Sequence, residues 1–469
     1  MRRAPLVPAL LALLAPALAA AQASAPDDPL LERLVAESLA ARPELRQARE
    51  RARAERERVP QAGALPDPTL SLGLQNDGFD GLQIGKMEGS YYQVMLSQGL
   101  PWPGKRGLRT DVAQLAADAA DAGVERVRLT TEADVRRGYL DLLLVRDRLA
   151  LLDRLEAIWK DSSAVAQARY GAGEGAQSDV LRAQLELNRL RQRRWALQSD
   201  ERVRVQALNR LRAHPLDEPI ATTARVGDLP LPAPVAADAG FADAAARSPE
   251  LRQARLEAAS GEAGVTLARR DRWPDLSVSA GIMPRGALDP MWQAGVSVSL
   301  PVWAWRKQGR AVAESEARAS AGASGAAAVE QVLRQRVAER ASALAAALDS
   351  VKLYREGLLV QSKATAESTL AQYRVGRVTF ASVLDANAGY VADEEGLLFA
   401  LADALRIGIA SAEVSLAPGA AGAPGAIGAA SVPGAGALGS GGGGAAAGGA
   451  ASAGGGGGGG GGAAMSSGM

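Results

Sequence analysis

The 469-residue chain contains no cysteine. Disulfides, thiol nucleophiles, thiolate metal sites and lipid attachment through an N-terminal cysteine are therefore excluded. Histidine occurs once, as His214 beside Pro215. An imidazole metal site or a histidine base would have that single candidate, and its place beside a proline reads as a solvated loop. Aromatic residues make up only 4% of the chain, too few for a bulky globular core. Neither sign of charge is in excess, with 53 Lys or Arg against 52 Asp or Glu. The charges are scattered rather than blocked, so no nucleic-acid partner is expected. Beyond the N-terminal region no stretch approaches about 18 uncharged apolar residues, the length a membrane-spanning helix needs. No glycine-rich phosphate loop, metal cluster or catalytic histidine arrangement is visible, so no enzyme is expected.

What is present begins with an export signal. Arg2 and Arg3 precede the apolar run "LVPALLALLAPALA", and small residues near 19–25 offer cleavage sites. Residues 1–23 are read as a signal peptide. The other end, residues 417–469, is nearly all Gly, Ala and Ser from Pro418 onward. Such a tail buries too little apolar surface to offset its ordering entropy, and disorder is expected.

Between these ends the chain repeats itself. "ARPELRQAR" (41–49) returns as "RSPELRQAR" (247–255), and "LPDPTLSLG" (65–73) is echoed by "WPDLSVSAG" (273–281). "RYGAGEGAQSDVLRAQ" (169–184) returns as "QYRVGRVTFASVLDAN" (372–387). Similar offsets in the same order mark a tandem duplication of about 200 residues. The copies are read as 28–212 and 239–416, joined by a Pro- and Ala-rich linker at 213–238.

Each copy predicts helix, strand, strand, very long helix, tight turn, helix. Leu70, Leu72 and Leu74 alternate with Ser71, Gly73 and Gln75; Trp292, Ala294, Val296 and Val298 alternate with Gln293, Gly295 and Ser297. That period of two gives strands with one apolar and one small, polar face. Val135, Tyr139, Leu142, Val145, Leu149, Leu152, Leu155 and Trp159 recur at helical steps, and no proline falls between Gly104 and Tyr170. About 65 residues at 1.5 Å each make a rod on the order of 100 Å. Four strands of about ten residues match the length of membrane β-strands but are too few to close a barrel, since the smallest have about eight. Open edges are not tolerated in lipid, so several chains must share one barrel.

"VPQAGALPDPTLSLGL" (59–74), "LSQGLPWPGKR" (96–106) and "YRVGRVTFASVLDA" (373–386) resemble the outer-membrane efflux protein (TolC-like) family over about residues 28–416. The last two segments resemble its heavy-metal cation branch. The resemblance implies a mainly α fold with a membrane β-barrel: a homotrimer whose twelve strands form the barrel and whose long helices continue it as a periplasmic α-helical barrel. It implies a passive duct in the outer membrane of a Gram-negative bacterium, contacting outer-membrane lipid, without catalysis or cofactor. Its implied partners are a periplasmic adaptor and an inner-membrane pump. A drug or type I secretion duct is the rival within transport, and a soluble periplasmic coiled-coil scaffold is the rival outside it.

The same resemblance assigns sites. Pro101, Trp102, Pro103 and Gly104, with Pro301 and Trp303 in the second copy, would form the corners between barrel and helices, with Lys105 and Arg106 meeting lipid headgroups. Tyr170, Gly173 and Gly376 would mark periplasmic tip turns where an adaptor docks. Asp179, Tyr373, Arg374, Arg377 and Asp385 would hold the tunnel entrance shut, Asp179 accepting hydrogen bonds from Tyr373 and from Arg374 or Arg377. The chain departs from the family at Val378, where an arginine is usual, and at Ser382, where a second aspartate is usual. Met87, Met95, Met283 and Met291 are thioethers able to bind Cu(I) or simply to fill space.

Overall fold

The computed structural model describes residues 28–417. The expected signal peptide and the tail from Pro418 lie outside the described residues. Helices α1 (Pro29–Ala41) and α2 (Pro43–Gly63) lead into strands β1 (Thr69–Gln75) and β2 (Tyr91–Leu100). Then come α3 (Lys105–Gly171) and α4 (Gln177–Arg212). The same order follows with α5 (Ala237–Arg247), α6 (Pro249–Arg270), β3 (Leu276–Arg285) and β4 (Leu288–Val298). It continues through α7 (Gln308–Leu353), a π-helical turn at Tyr354–Leu358, α8 (Leu359–Arg374) and α9 (Phe380–Glu413). The single leading helix expected of each copy is two helices. Pro43 and Pro249 cannot continue a preceding helix, because proline restricts the residue before it. Both instead start a new one at its first position, where a missing N–H costs nothing. The Asp28 carboxylate accepts from Leu30 N at 3.0 Å, and Ser248 Oγ from Leu251 N at 3.2 Å, capping α1 and α6.

α3 runs 67 residues without a break. Its predicted stripe is the core. Val135, Tyr139 and Leu142 pack with Leu34 of α1, Leu208 of α4, Val351 of α7 and Leu401 of α9. Further along, Leu152, Leu155 and Trp159 pack with Leu190 of α4 and with Tyr373, Phe380 and Val383 of the second copy. Burying each such side chain contributes roughly 1.5–3 kcal/mol. Ion pairs fix the end of α9. Glu413, 4% exposed, accepts from Arg126 at 2.8 Å and also from Arg137, both on α3.

The four strands form one antiparallel sheet in the order β1-β2-β3-β4. Its register lines up Leu70, Leu96, Ala280 and Ala294 in one row, and Leu72, Val94, Ile282 and Trp292 in the next. That face is bare: Leu72 is 74% exposed and Trp292 79%. The opposite face carries Ser97, Ser277, Ser279 and Gly295, with Ser97 and Ser277 hydroxyls 2.9 Å apart. Among the described residues no strand pairs with the outer edges of β1 and β4. No helix of the described residues is long and apolar enough to cross a membrane.

Candidate functional site

Two places collect the residues singled out from sequence: the helix tips far from the sheet, and the corners where strands become helices. At the tips, α3 turns into α4 and α8 into α9 through Tyr-x-x-Gly sequences. Gly173 and Gly376 take φ of 77° and 74°. A side chain there would be strained, and glycine is not. The backbone hydrogen bonds of the two turns match, Gly173 N–H donating to the Tyr170 carbonyl and Gly376 N–H to the Tyr373 carbonyl, both at 3.0 Å, but the tyrosines differ. Tyr170 is exposed, whereas Tyr373 is 2% exposed and packs on the Phe380 ring at 5.3 Å.

Tyr373 joins the two copies. Its hydroxyl donates to Asp179 Oδ2 at 3.3 Å. Arg169 lies over its ring, 4.9 Å from the centroid, and donates through Nη1 to the Tyr373 carbonyl at 2.6 Å. Arg169 Nη2 also donates to the Glu174 carbonyl at 3.2 Å, so one guanidinium ties both turns. Asp179 stands in the first turn of α4, where the helix dipole favours a carboxylate. Burial, then the Asp179 charge and hydrogen bond, push the Tyr373 phenol above its ordinary range, while Arg169 opposes the shift.

The expected arginines stand elsewhere. Arg374 and Arg377 are exposed around the second turn, and among the described residues neither hydrogen-bonds Asp179. Arg169 occupies the inward position they were expected to fill. The duplication held the signal for it. Arg169 and Asp179 align with Gln372 and Ser382, so the first turn carries two opposite charges that the second lacks. Ser382 instead joins the cap of α9, its N–H donating to Thr379 Oγ1 at 3.4 Å. Asp385 is exposed on the first turns of α9, and Val378 packs against the tip core.

The corners are built differently from each other. After Pro101, the Trp102 N–H donates to Asp275 Oδ1 at 2.8 Å. Gly104, at φ 90°, reverses the chain into α3. Lys105 is 3% exposed, its ammonium bonded to the Trp273 carbonyl at 2.7 Å and to Asp275 at 2.9 Å. The expectation that Lys105 meets headgroups is therefore wrong. Its charge is used inside the corner, neutralising Asp275. Arg106 donates to the Gly63 carbonyl at 2.8 Å and remains exposed. Trp102 stacks on Trp273 at 5.2 Å, tilted by 12°. In the second corner, after Pro301, Trp303 meets Trp305 edge-on at 5.8 Å, and both are largely exposed. Asp275 and Trp273, missed in the sequence, lie within the "WPDLSVSAG" echo. Met283 stands opposite Met291 in the register and is 7% exposed. Met95 shares their face of the sheet, and Met87 lies in the connection before β2. No group of three or more His, Cys, Asp or Glu that could hold a metal occurs among the described residues.

Comparison with known proteins agrees with this architecture. The model of the family "Outer membrane efflux protein" matches residues 34–214 and 241–407. Nodulation protein T of Rhizobium leguminosarum bv. trifolii is 25% identical over 295 residues, covering 59% of this chain and 62% of that protein, less than two thirds of its length. The outer-membrane channel OprN has the same fold, with a TM-score of 0.71 at 20% identity over 83% of this chain and 91% of the other. So does the open-state MtrE outer membrane channel of Neisseria gonorrhoeae, with a TM-score of 0.69 at 18% identity over 83% and 89%. With the family model matched in both halves, the chain belongs to the outer membrane efflux protein family, a family of outer-membrane channels rather than enzymes.

Proposed function

We propose that three copies of this chain form a passive exit duct in the outer membrane, fed by an inner-membrane pump through a periplasmic adaptor. The observation that carries this reading is the sheet. Four strands expose a continuous apolar face and, among the described residues, leave both edges without partners. In water such a face invites aggregation, and in lipid open edges are forbidden. A closed ring of three sheets removes both problems, placing the apolar rows toward lipid and the Ser and Gly rows toward an aqueous lumen. The long helices continue the lumen into the periplasm. The soluble-scaffold alternative leaves Leu72 and Trp292 facing water without a partner.

In this reading the tip is the gate. Arg169, Tyr373 and Asp179 hold the two copies of one chain together, while exposed Arg374 and Arg377 face the neighbouring subunit. Asp385, repeated three times, gives a ring of carboxylates that attracts cations. The tip turns at Tyr170, Gly173 and Gly376 are the adaptor's docking points. Heavy-metal cations are the proposed cargo, on the likeness of "LSQGLPWPGKR" and "YRVGRVTFASVLDA" to that branch. Planar-bilayer recording tests the gate and the ring. Asp179→Ala is expected to raise single-channel conductance, and Asp385→Ala to reduce cation preference. Unchanged conductance and selectivity in both variants would contradict these assignments.

A further inference from the structure

The two ends of the sheet carry opposite charge. At the helical end, segments 64–68, 101–111, 269–275 and 301–310 hold nine Lys or Arg against four Asp. At the other end, segments 76–90 and 284–290 hold two Lys or Arg against four Asp or Glu. Lys105 and Asp275 cancel inside the first corner. Arg269 pairs with Glu316 at 2.8 Å. The remaining excess is on the surface, where Arg270, Arg272, Arg306, Lys307 and Arg310 are all exposed.

These cations follow a fixed order along the molecule. The bare apolar rows of the sheet end at Leu300 and Val302, 69% and 63% exposed. Next come Trp273, Trp303 and Trp305, exposed by half or more. The arginines stand beyond them, toward the helices. Apolar, then indole, then guanidinium is the order that acyl chains, the glycerol region and phosphate present across one leaflet. Neither α3 nor α7, which both start in this layer, has an acidic residue in its first turn. Their dipoles therefore add to the positive side rather than offset it. Between the start of α3 and the end of α6 runs an open groove of about 600 Å³, whose lining includes Gly104, Leu108, Arg269, Arg270 and Trp273, with Asp111 as its one acidic residue.

We propose that this belt binds anionic phospholipid in the membrane leaflet nearest the helices, with tryptophans at the headgroup level and arginines on the phosphates. The proposal rests on the barrel reading above, which turns the apolar rows toward lipid. Guanidinium groups pair with phosphate oxygens in a forked geometry. The charge excess separates an anionic lipid from a zwitterionic one, which would gain little from it. The opposite end of the sheet, with its acidic excess, has no such preference.

The test uses the full-length protein in nanodiscs of equal parts phosphatidylglycerol and phosphatidylcholine. Native mass spectrometry then reads which lipids stay bound after the disc is removed. Phosphatidylglycerol should be retained in preference by about fivefold or more, and added salt should reduce that ratio. Combining Arg272→Gln, Arg306→Gln and Arg310→Gln should bring it close to one while the oligomer survives. Lys86→Gln with Arg285→Gln, at the other end, should leave it unchanged. Equal retention of both lipids by the parent would overturn the proposal, as would preference surviving the triple variant. A protein that enters neither lipid would overturn the barrel reading itself, and this belt with it.

Discussion

In the gate proposed above, Tyr373 would do its work with little chemistry. Its ring fills the tip core beside Phe380, and its hydroxyl reaches Asp179 in the other copy. A sheltered hydrogen bond to a charged group contributes roughly 1.5–3 kcal/mol, and less where water enters. Three symmetric copies would multiply it, enough to hold a ring closed until an adaptor competes. Tyr373→Phe keeps the packing and removes the hydroxyl, so conductance should rise while the assembly stays intact. Arg169→Ala removes the guanidinium that ties both turns and should open the tip further. The sign of the pH effect follows from the raised phenol. Its contribution is complete below the ordinary tyrosine value near pH 10 and is lost as pH rises through the higher folded value. The parent channel should therefore gain conductance only above about pH 10, and Tyr373→Phe should lack that step. Asp179 and Tyr373 were legible as a pair in the sequence. Arg169 was legible only as a difference between the duplicated turns; that it, and not Arg374 or Arg377, lies against Tyr373 depends on the burial of Tyr373, a property of packing.

The corners and long helices carry the frame. The 67 residues of α3 were readable from the absence of proline and the regular apolar stripe. The second long helix has the same stripe but is interrupted by a π turn at Tyr354–Leu358. Nothing in the local sequence announces it. Its partner is across the bundle, where Gly396 leaves room for the Tyr354 ring; a Cβ there would lie 2.5 Å from the Tyr354 hydroxyl oxygen. Gly396→Leu should expel the ring and destabilise the assembly by about 1–3 kcal/mol, lowering the temperature at which the oligomer dissociates on a semi-native gel. The first corner makes a matching prediction. Lys105→Met keeps the volume but leaves Asp275 without its cation, at a cost of about 2 kcal/mol. Arg106→Met, removing an exposed charge, should cost much less. The Pro-Trp-Pro-Gly turn was visible in the sequence, but which of Lys105 and Arg106 turns its charge inward depended on Asp275, 170 residues from Lys105 in the chain.

The assembled molecule is where a single chain's account ends and its neighbours' begins. The duplication, the four strands and their two faces are all in the sequence, since period-two patterning fixes which residues share a side. Subunit number is not, because edges show only that partners are needed. The low aromatic content fits the proposed assembly. Helices packed as thin walls around a lumen would bury small residues such as Ala117, Ala122 and Ala404, all buried here, and would need few large rings. Removing residues 418–469 should leave assembly yield and conductance unchanged, because that segment carries no apolar periodicity to contribute to a wall. Trimeric assembly is the central claim, and mass photometry of the detergent-purified protein tests it most directly. The account predicts one species at three times the mass of the mature chain, lost from solution when detergent is withdrawn; a monodisperse monomer that remains soluble without detergent would contradict it.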